Sequence, residues 1–128
     1  MDVPTQSHLK TLRDLLTYRL AELRADVHAA QLARQAASSA ATAEVGDRKD
    51  DAAGRASAAI DAAQEQRDRD ELEDAVAALH RLDAGSYGDC ASCGEPISLQ
   101  RLLVQPSASS CAACQTLHEH GTGAARAG

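Results

Sequence analysis

The sequence predicts a mostly α-helical chain: a long antiparallel helical hairpin, or coiled coil, joined to a small four-cysteine module with a short C-terminal helix. Three observations carry that reading. The 128 residues include no Phe or Trp and only Tyr18 and Tyr87 as aromatics, and much of the 44% hydrophobic content is alanine. Alanine buries little area per residue, so a core of ordinary size is not expected. Leucines recur at heptad spacing through the first third of the chain, and all four cysteines fall between Cys90 and Cys114.

The first helix is read from Leu9, Leu12, Leu16, Leu20, Leu23, Val27 and Ala30, a run of three- and four-residue steps with one irregularity, continuing weakly through Ala37 and Ala41. Thr5 or Ser7 is placed to cap its start, just after Pro4. A helix over residues 6–43 would extend about 55 Å at 1.5 Å per residue. The second helix is expected to begin near Asp50 or Asp51, with Ala53, Ala56, Ile60 and Ala63 on its seam and then Leu72, Val76, Leu79 and Leu82. The polar run "EQRDRDE" between them is read as an interruption, and Gly85 as the C-terminal stop.

Neither helix buries its apolar stripe alone. Folded back on each other they share one seam, alanine near the turn allowing close approach and leucine at the other end supplying area. This defines an arm over residues 6–84, turning at Gly46 to Asp50, with an acidic tip over 44–52. The tip holds Glu44, Asp47, Asp50 and Asp51 within "EVGDRKDDAAGRA". Aspartate in the first turn of a helix caps free N–H groups and suits the helix dipole. Capping accounts for one or two of these acids, not for Glu44 and Asp47 on the other side of the turn.

Cys90, Cys93, Cys111 and Cys114 follow the spacing C-x2-C-x17-C-x2-C. Each x2 pair presents two sulfurs from one knuckle, and two knuckles complete the tetrahedral shell of Zn²⁺. Gly94, directly after the second sulfur, suits a turn that needs positive φ. Four thiolates leave no open coordination position, so one zinc is expected to be structural and to supply folding energy that packing cannot. The module is placed at residues 85–120 and a flexible tail at 121–128. Two disulfides suit a reducing compartment poorly; a redox switch in which oxidation ejects zinc is compatible with the same four sulfurs. His118 and His120 follow the last cysteine, but four sulfurs already satisfy the metal. His8, His28 and His80 are given no chemistry.

Several classes are excluded. There is no Ser/His/Asp arrangement, no glycine-rich phosphate loop and no HExxH, so the chain is not read as an enzyme and no catalytic residue is assigned. Net charge is −6, and past Ala84 the only Lys or Arg residues are Arg101 and Arg126. That is too little clustered positive charge for direct, sequence-specific DNA binding. No signal-peptide h-region or membrane-length apolar run is present. A cytoplasmic monomer is expected.

"ALHRLDAGSYGDCASCGEPISLQRLLVQPSASSCAACQ" resembles the zinc-finger signature of the DksA/TraR family. The family's glycine, aromatic and glycine before the first cysteine pair are matched by Gly85, Tyr87 and Gly88, and the residues between the pairs by Ile97, Arg101-Leu102 and Pro106. The likeness covers roughly residues 77 to 117. It extends to the arm: Asp47-Arg48-Lys49-Asp50-Asp51-Ala52 is similar to the family's Asp-x-x-Asp-x-Ala tip, and Arg67-Asp68-Arg69 to an Arg-Asp-Arg segment on its second helix.

The resemblance implies a bacterial transcription regulator, associated with the stringent response, that binds RNA polymerase and inserts its coiled coil through the secondary channel. Asp47 and Asp50 would then act near the polymerase active site, Ala52 would pack closely, and Arg67 and Arg69 would touch the channel rim. The segment before the first helix is expected to be short. The basic residues that help longer members form a ppGpp site have no evident counterparts, so weak or absent synergy with ppGpp is expected. The alternative reading is a zinc-thiolate redox or stress sensor, or a coiled-coil adaptor for another protein.

Overall fold

Thr5 opens the first helix, α1 (Gln6–Ala43), through a reciprocal cap. Its hydroxyl accepts from the His8 main-chain N–H at 3.3 Å, its carbonyl accepts from Leu9 N–H at 2.8 Å, and its own N–H donates to His8 Nδ1 at 3.0 Å. This is a capping box in which histidine replaces the usual glutamate. The computed structural model describes residues 4–43 and 48–127, and side chains within 4–39 and 52–119. Glu44, Gly46 and Asp47 of the expected turn and tip lie outside the described residues, as do the side chains of Asp50 and Asp51.

α2 (Arg48–Ala84) starts two residues before the expected Asp50 and pairs with α1 in an antiparallel hairpin; α3 (Leu99–Val104) and α4 (Ala112–Ala127) follow. Among the described residues the only β pairing is one isolated bridge. None of these helices is long and apolar enough to cross a membrane. α4 runs through residues 121–127, which the sequence reading assigns to a flexible tail.

The chain divides into two compact units, Leu20–Glu73 and the two flanking stretches Met1–Arg19 with Asp74–Gly128. In the flanking unit Leu12 and Leu16 of α1 are 0% and 2% exposed, and Ala75 and Ala78 of α2 are buried too. An ion pair between Arg13 and Asp83 (2.9 Å) sits at their edge. Tyr87, Ile97, Leu102 and Ala108 complete this core. Burying a leucine or isoleucine of this size stabilises by about 1.5–3 kcal/mol, so a handful of positions supplies most of the packing energy.

Among the described residues of the Leu20–Glu73 unit, those buried are Leu23 and Val27 of α1 and, unexpectedly, Glu65 of α2. From His28 to Ser39 and from Ala52 to Gln64 no side chain is buried. Among the described residues, the alanine faces toward the turn therefore bury no side chain fully. A groove of about 510 Å³ lies there, lined by Ala30, Ala33, Ala58 and Ala62 among others. One methyl group per residue does not fill the space between two backbones. The phase of α2 also differs from the sequence reading. Glu65, Asp68, Leu72, Ala75, Leu79 and Leu82 are each buried or half-buried, a regular heptad that runs straight through "EQRDRDE", whereas Ile60 is 67% exposed.

Candidate metal centre

Gly85 ends α2 at φ +80. The Ser86 N–H reaches back to the Arg81 carbonyl (2.9 Å) and the Gly85 N–H to that of Leu82 (3.4 Å), the paired bonds of a Schellman motif. The chain then enters a tight β-bridge between Asp89 and Pro96. Cys90 N–H donates to the Glu95 carbonyl (2.8 Å) and Ile97 N–H to that of Gly88 (2.7 Å). Within this turn Gly94 adopts φ +77 and donates to the Cys90 carbonyl at 2.9 Å. A Cβ there would be strained by φ alone.

Ser98 caps α3, accepting from Arg101 N–H at 3.2 Å. This short helix inserts Leu102 beneath the turn, and its Arg101 donates through Nε to the Ser110 carbonyl at 2.9 Å. Tyr87 is 9% exposed and donates its hydroxyl to the Pro106 carbonyl at 2.8 Å, linking the approach to the first cysteine pair with the approach to the second. Burial pushes its phenol up to about 12, against a smaller opposing pull from Arg81. Ala91 N–H donates to the Ser109 carbonyl at 2.7 Å and laces the two knuckles together. Cys111 then caps α4. Its carbonyl accepts from Gln115 N–H at 2.9 Å and its Sγ from Cys114 N–H at 3.4 Å.

These constraints bring the Sγ atoms of Cys90, Cys93, Cys111 and Cys114 all within 4.8 Å of one another, with Cys93 and Cys111 3.8 Å apart. A tetrahedral zinc with Zn–S bonds of about 2.3 Å places its sulfurs about 3.8 Å from each other. Ionisation of the bare thiols is uneven. The Cys111 main-chain N–H leads the effects that pull Cys90 down to about 6. Hydrogen bonding to Cys111 leads those that push Cys114 up to about 12. At Cys93 the Glu95 main-chain N–H, and to a smaller extent Cys114, pull downward, but Cys90, Cys111 and burial outweigh them and the net shift is upward. One thiolate forms easily and its neighbours then resist, because like charges repel at this range. A dication removes the conflict, and a donor set of four sulfurs suits zinc. The four cysteines hold one structural zinc. His118 does not belong to the sulfur group; its Nε2 lies 3.2 Å from Ser92 Oγ. The side chain of His120 lies outside the described residues.

Of the residues expected to act on a partner, Ala52 is exposed. Arg67 is exposed and donates to Gln64 Oε1 at 2.9 Å. Arg69 is half-buried, with Nε and one terminal nitrogen donating to Glu65 Oε2 at 2.9 and 2.8 Å. Arg34 of α1 binds the other oxygen of the same carboxylate. The hydrogen bond from Arg69 and the charge of Arg34 hold Glu65 below the usual carboxylate range despite its burial. The sequence reading gives Glu65 and Arg34 no role; the two lie 31 residues apart on different helices, and nothing local in the sequence points to their pairing.

Residues 85–120 match the family model of the prokaryotic dksA/traR C4-type zinc finger. The RNA polymerase-binding transcription factor DksA of Caulobacter vibrioides (strain NA1000 / CB15N) is 42% identical over 73 residues, covering 54% of this chain and 51% of that protein. The protein of the same name from Haemophilus influenzae is 40% identical over 53 residues, 41% of this chain and 37% of its own length. The chain thus spans about half the length, or less, of the curated relatives it matches. The solved structure of transcription factor DksA2 from Pseudomonas aeruginosa is similar with a TM-score of 0.72 at 27% identity, over 91% of this chain and 87% of that one.

Proposed function

We propose that the chain is a member of the DksA/TraR family and acts as an RNA polymerase-binding regulator of transcription, a binding protein whose zinc is structural. The observation that carries this is the structural likeness to a DksA transcription factor over 91% of the chain, which takes in the helical pair as well as the cysteine module. The finer reading is that the helical hairpin enters the polymerase secondary channel. Asp47 and Asp50 bring negative charge toward the catalytic region, with Ala52 beside them, and Arg67 and Arg69 meet the channel rim. The exposure of Ala52 and Arg67 is consistent with contact to a partner. With net charge −6 and few basic residues in the module, the partner is a protein and not bare nucleic acid. Synergy with ppGpp is expected to be weak, and the protein is taken to act as a monomer in the cytoplasm.

Purified polymerase core should retain the protein in a pull-down, and a second secondary-channel binder should displace it. Asp47→Asn with Asp50→Asn should abolish the effect on a ribosomal promoter while leaving that retention largely intact. Retention that the competitor does not touch would overturn the channel reading. Unchanged transcription in the Asn variant, with strong sensitivity to cysteine oxidation, would instead favour a thiol sensor.

A further inference from the structure

Between Val104 and Ala112 the chain forms neither helix nor strand, yet Ala108 and Ser110 are buried. A buried segment without regular structure must find partners for its carbonyls elsewhere. Here the donors come from outside the segment. Tyr87 Oη donates to the Pro106 carbonyl at 2.8 Å and the Arg81 guanidinium to that of Ala108 at 3.4 Å. Ala91 N–H donates to the Ser109 carbonyl at 2.7 Å, and Arg101 Nε to that of Ser110 at 2.9 Å. The last of these stands directly before Cys111.

A peptide unit is planar and trans, so its carbonyl and its N–H point in opposite directions from one rigid plate. In the unit that joins Ser110 to Cys111, Arg101 Nε holds the carbonyl and the N–H is hydrogen-bonded to Cys90 Sγ. Arg101 and the Cys90 sulfur thus grip opposite edges of the plate that carries Cys111. Arg101 is itself fixed. Its N–H donates to Ser98 Oγ at 3.2 Å, its carbonyl accepts from Gln105 N–H at 2.8 Å, and the adjacent Leu102 is fully buried. A charged donor on the carbonyl also polarises the amide and strengthens the N–H···S bond at the far edge.

We infer that Arg101 is a positioning residue for the zinc site. It sets the angle of the Ser110–Cys111 peptide so that the second knuckle's N–H bonds a sulfur of the first while Cys111 Sγ faces the metal. Groups that hold metal ligands in place from behind are typically worth about 10–100-fold in metal affinity. A zinc ion bound by four thiolates is anionic, so a nearby cation could also help by charge alone. Lysine separates the two effects: it keeps the charge but places a methylene where arginine places Nε.

The test uses the full chain, loaded with zinc for affinity and with ¹¹³Cd, which four thiolates also bind, for NMR. In wild type the Cys111 amide proton should couple to the metal through its N–H···S bond. So should that of Cys93, whose main-chain N–H also reaches Cys90 Sγ. Arg101→Lys and Arg101→Gln should lose the Cys111 coupling and keep that of Cys93. Both should bind zinc about 10–100-fold more weakly in competition with a chromophoric chelator. Tyr87→Phe, which strands the Pro106 carbonyl instead, should keep both couplings. Wild-type affinity in Arg101→Lys would show that charge suffices, and would overturn the inference. So would a Cys111 coupling that persists in Arg101→Gln, or loss of both couplings together, the mark of a generally loosened module. If Tyr87→Phe and the Arg101 variants alike fail to take up metal, every clamp is needed equally and the assignment to Arg101 falls. Uptake lost in the Arg101 variants alone is the expected weakening at its limit. None of these measurements involves polymerase, so their outcome stands apart from the functional reading.

Discussion

Tyr87→Phe removes one oxygen atom from the buried face of the zinc module, and the structure sets what that should cost. The phenol donates to the Pro106 carbonyl at 2.8 Å, and a hydrogen bond of this type contributes about 1 kcal/mol net. Phenylalanine keeps the ring packing but strands that carbonyl, so a loss of about 1–2 kcal/mol is expected, a fall in Tm of roughly 3–8 °C for a chain of this size. The pH dependence is the sharper readout. Burial lifts the Tyr87 phenol from 10.0 to about 12, so the folded state binds its proton more tightly than the unfolded chain does. The stabilisation is complete below pH 10 and is lost as pH rises toward 12. A shift of that size corresponds to roughly 2.7 kcal/mol; solvent screening at a partly wetted phenol reduces this to about half. Urea unfolding of wild type and Tyr87→Phe from pH 8 to pH 12 measures it, with the wild-type advantage shrinking above pH 10. In a Tyr18→Phe background, ultraviolet absorbance reports Tyr87 alone, and its tyrosinate should appear only near pH 12. A tyrosinate forming at pH 10, or a gap between the two proteins that stays constant across that range, would refute the account of a buried, hydrogen-bonded phenol.

Two other perturbations separate the metal from the helical seam. Excess chelator, or Cys111→Ser, should collapse the amide dispersion of residues 85–119 in NMR spectra while far-ultraviolet circular dichroism keeps most of its helical signal. Structural zinc supplies about 10–16 kcal/mol, against roughly 3–6 kcal/mol from burying Ile97 and Leu102; dispersion that survives chelation would show the module packed without metal. Leu12→Ala should cost about 3 kcal/mol in urea unfolding, because Leu12 is 0% exposed. Leu15→Ala, one turn away at 42% exposed, should cost less than about 1 kcal/mol.

The difference between the two leucines was legible in the sequence, since Leu12, Leu16, Leu23 and Val27 stand at heptad steps and Leu15 does not. The metal ligands were equally plain: sulfur at x2 spacing has few other uses in a chain this poor in aromatics. The rest depended on information that periodicity does not hold. α3 is six residues long, too short to show a hydrophobic period, and its sole local sign is Ser98 as a cap. The phase of α2 was misread because Ile60 looks like a seam residue and Glu65 does not. Apolarity assigns faces correctly only where burial is driven by apolar area. In an alanine-rich helix that drive is weak, and a carboxylate with two arginine partners outcompetes an isoleucine for the inward face. The arginine that makes Glu65 tolerable lies on the other helix, so the pairing becomes visible only once the hairpin is closed. Alanine was read as a licence for close approach, yet close approach needs a force, and one methyl per residue supplies little of it. The described part of the alanine stretch therefore buries no side chain fully, and a groove runs along it. A helical pair that fully buries no described side chain over this length relies on packing elsewhere along the two helices. Leu23, Val27 and the Glu65 cluster supply that packing in the Leu20–Glu73 unit.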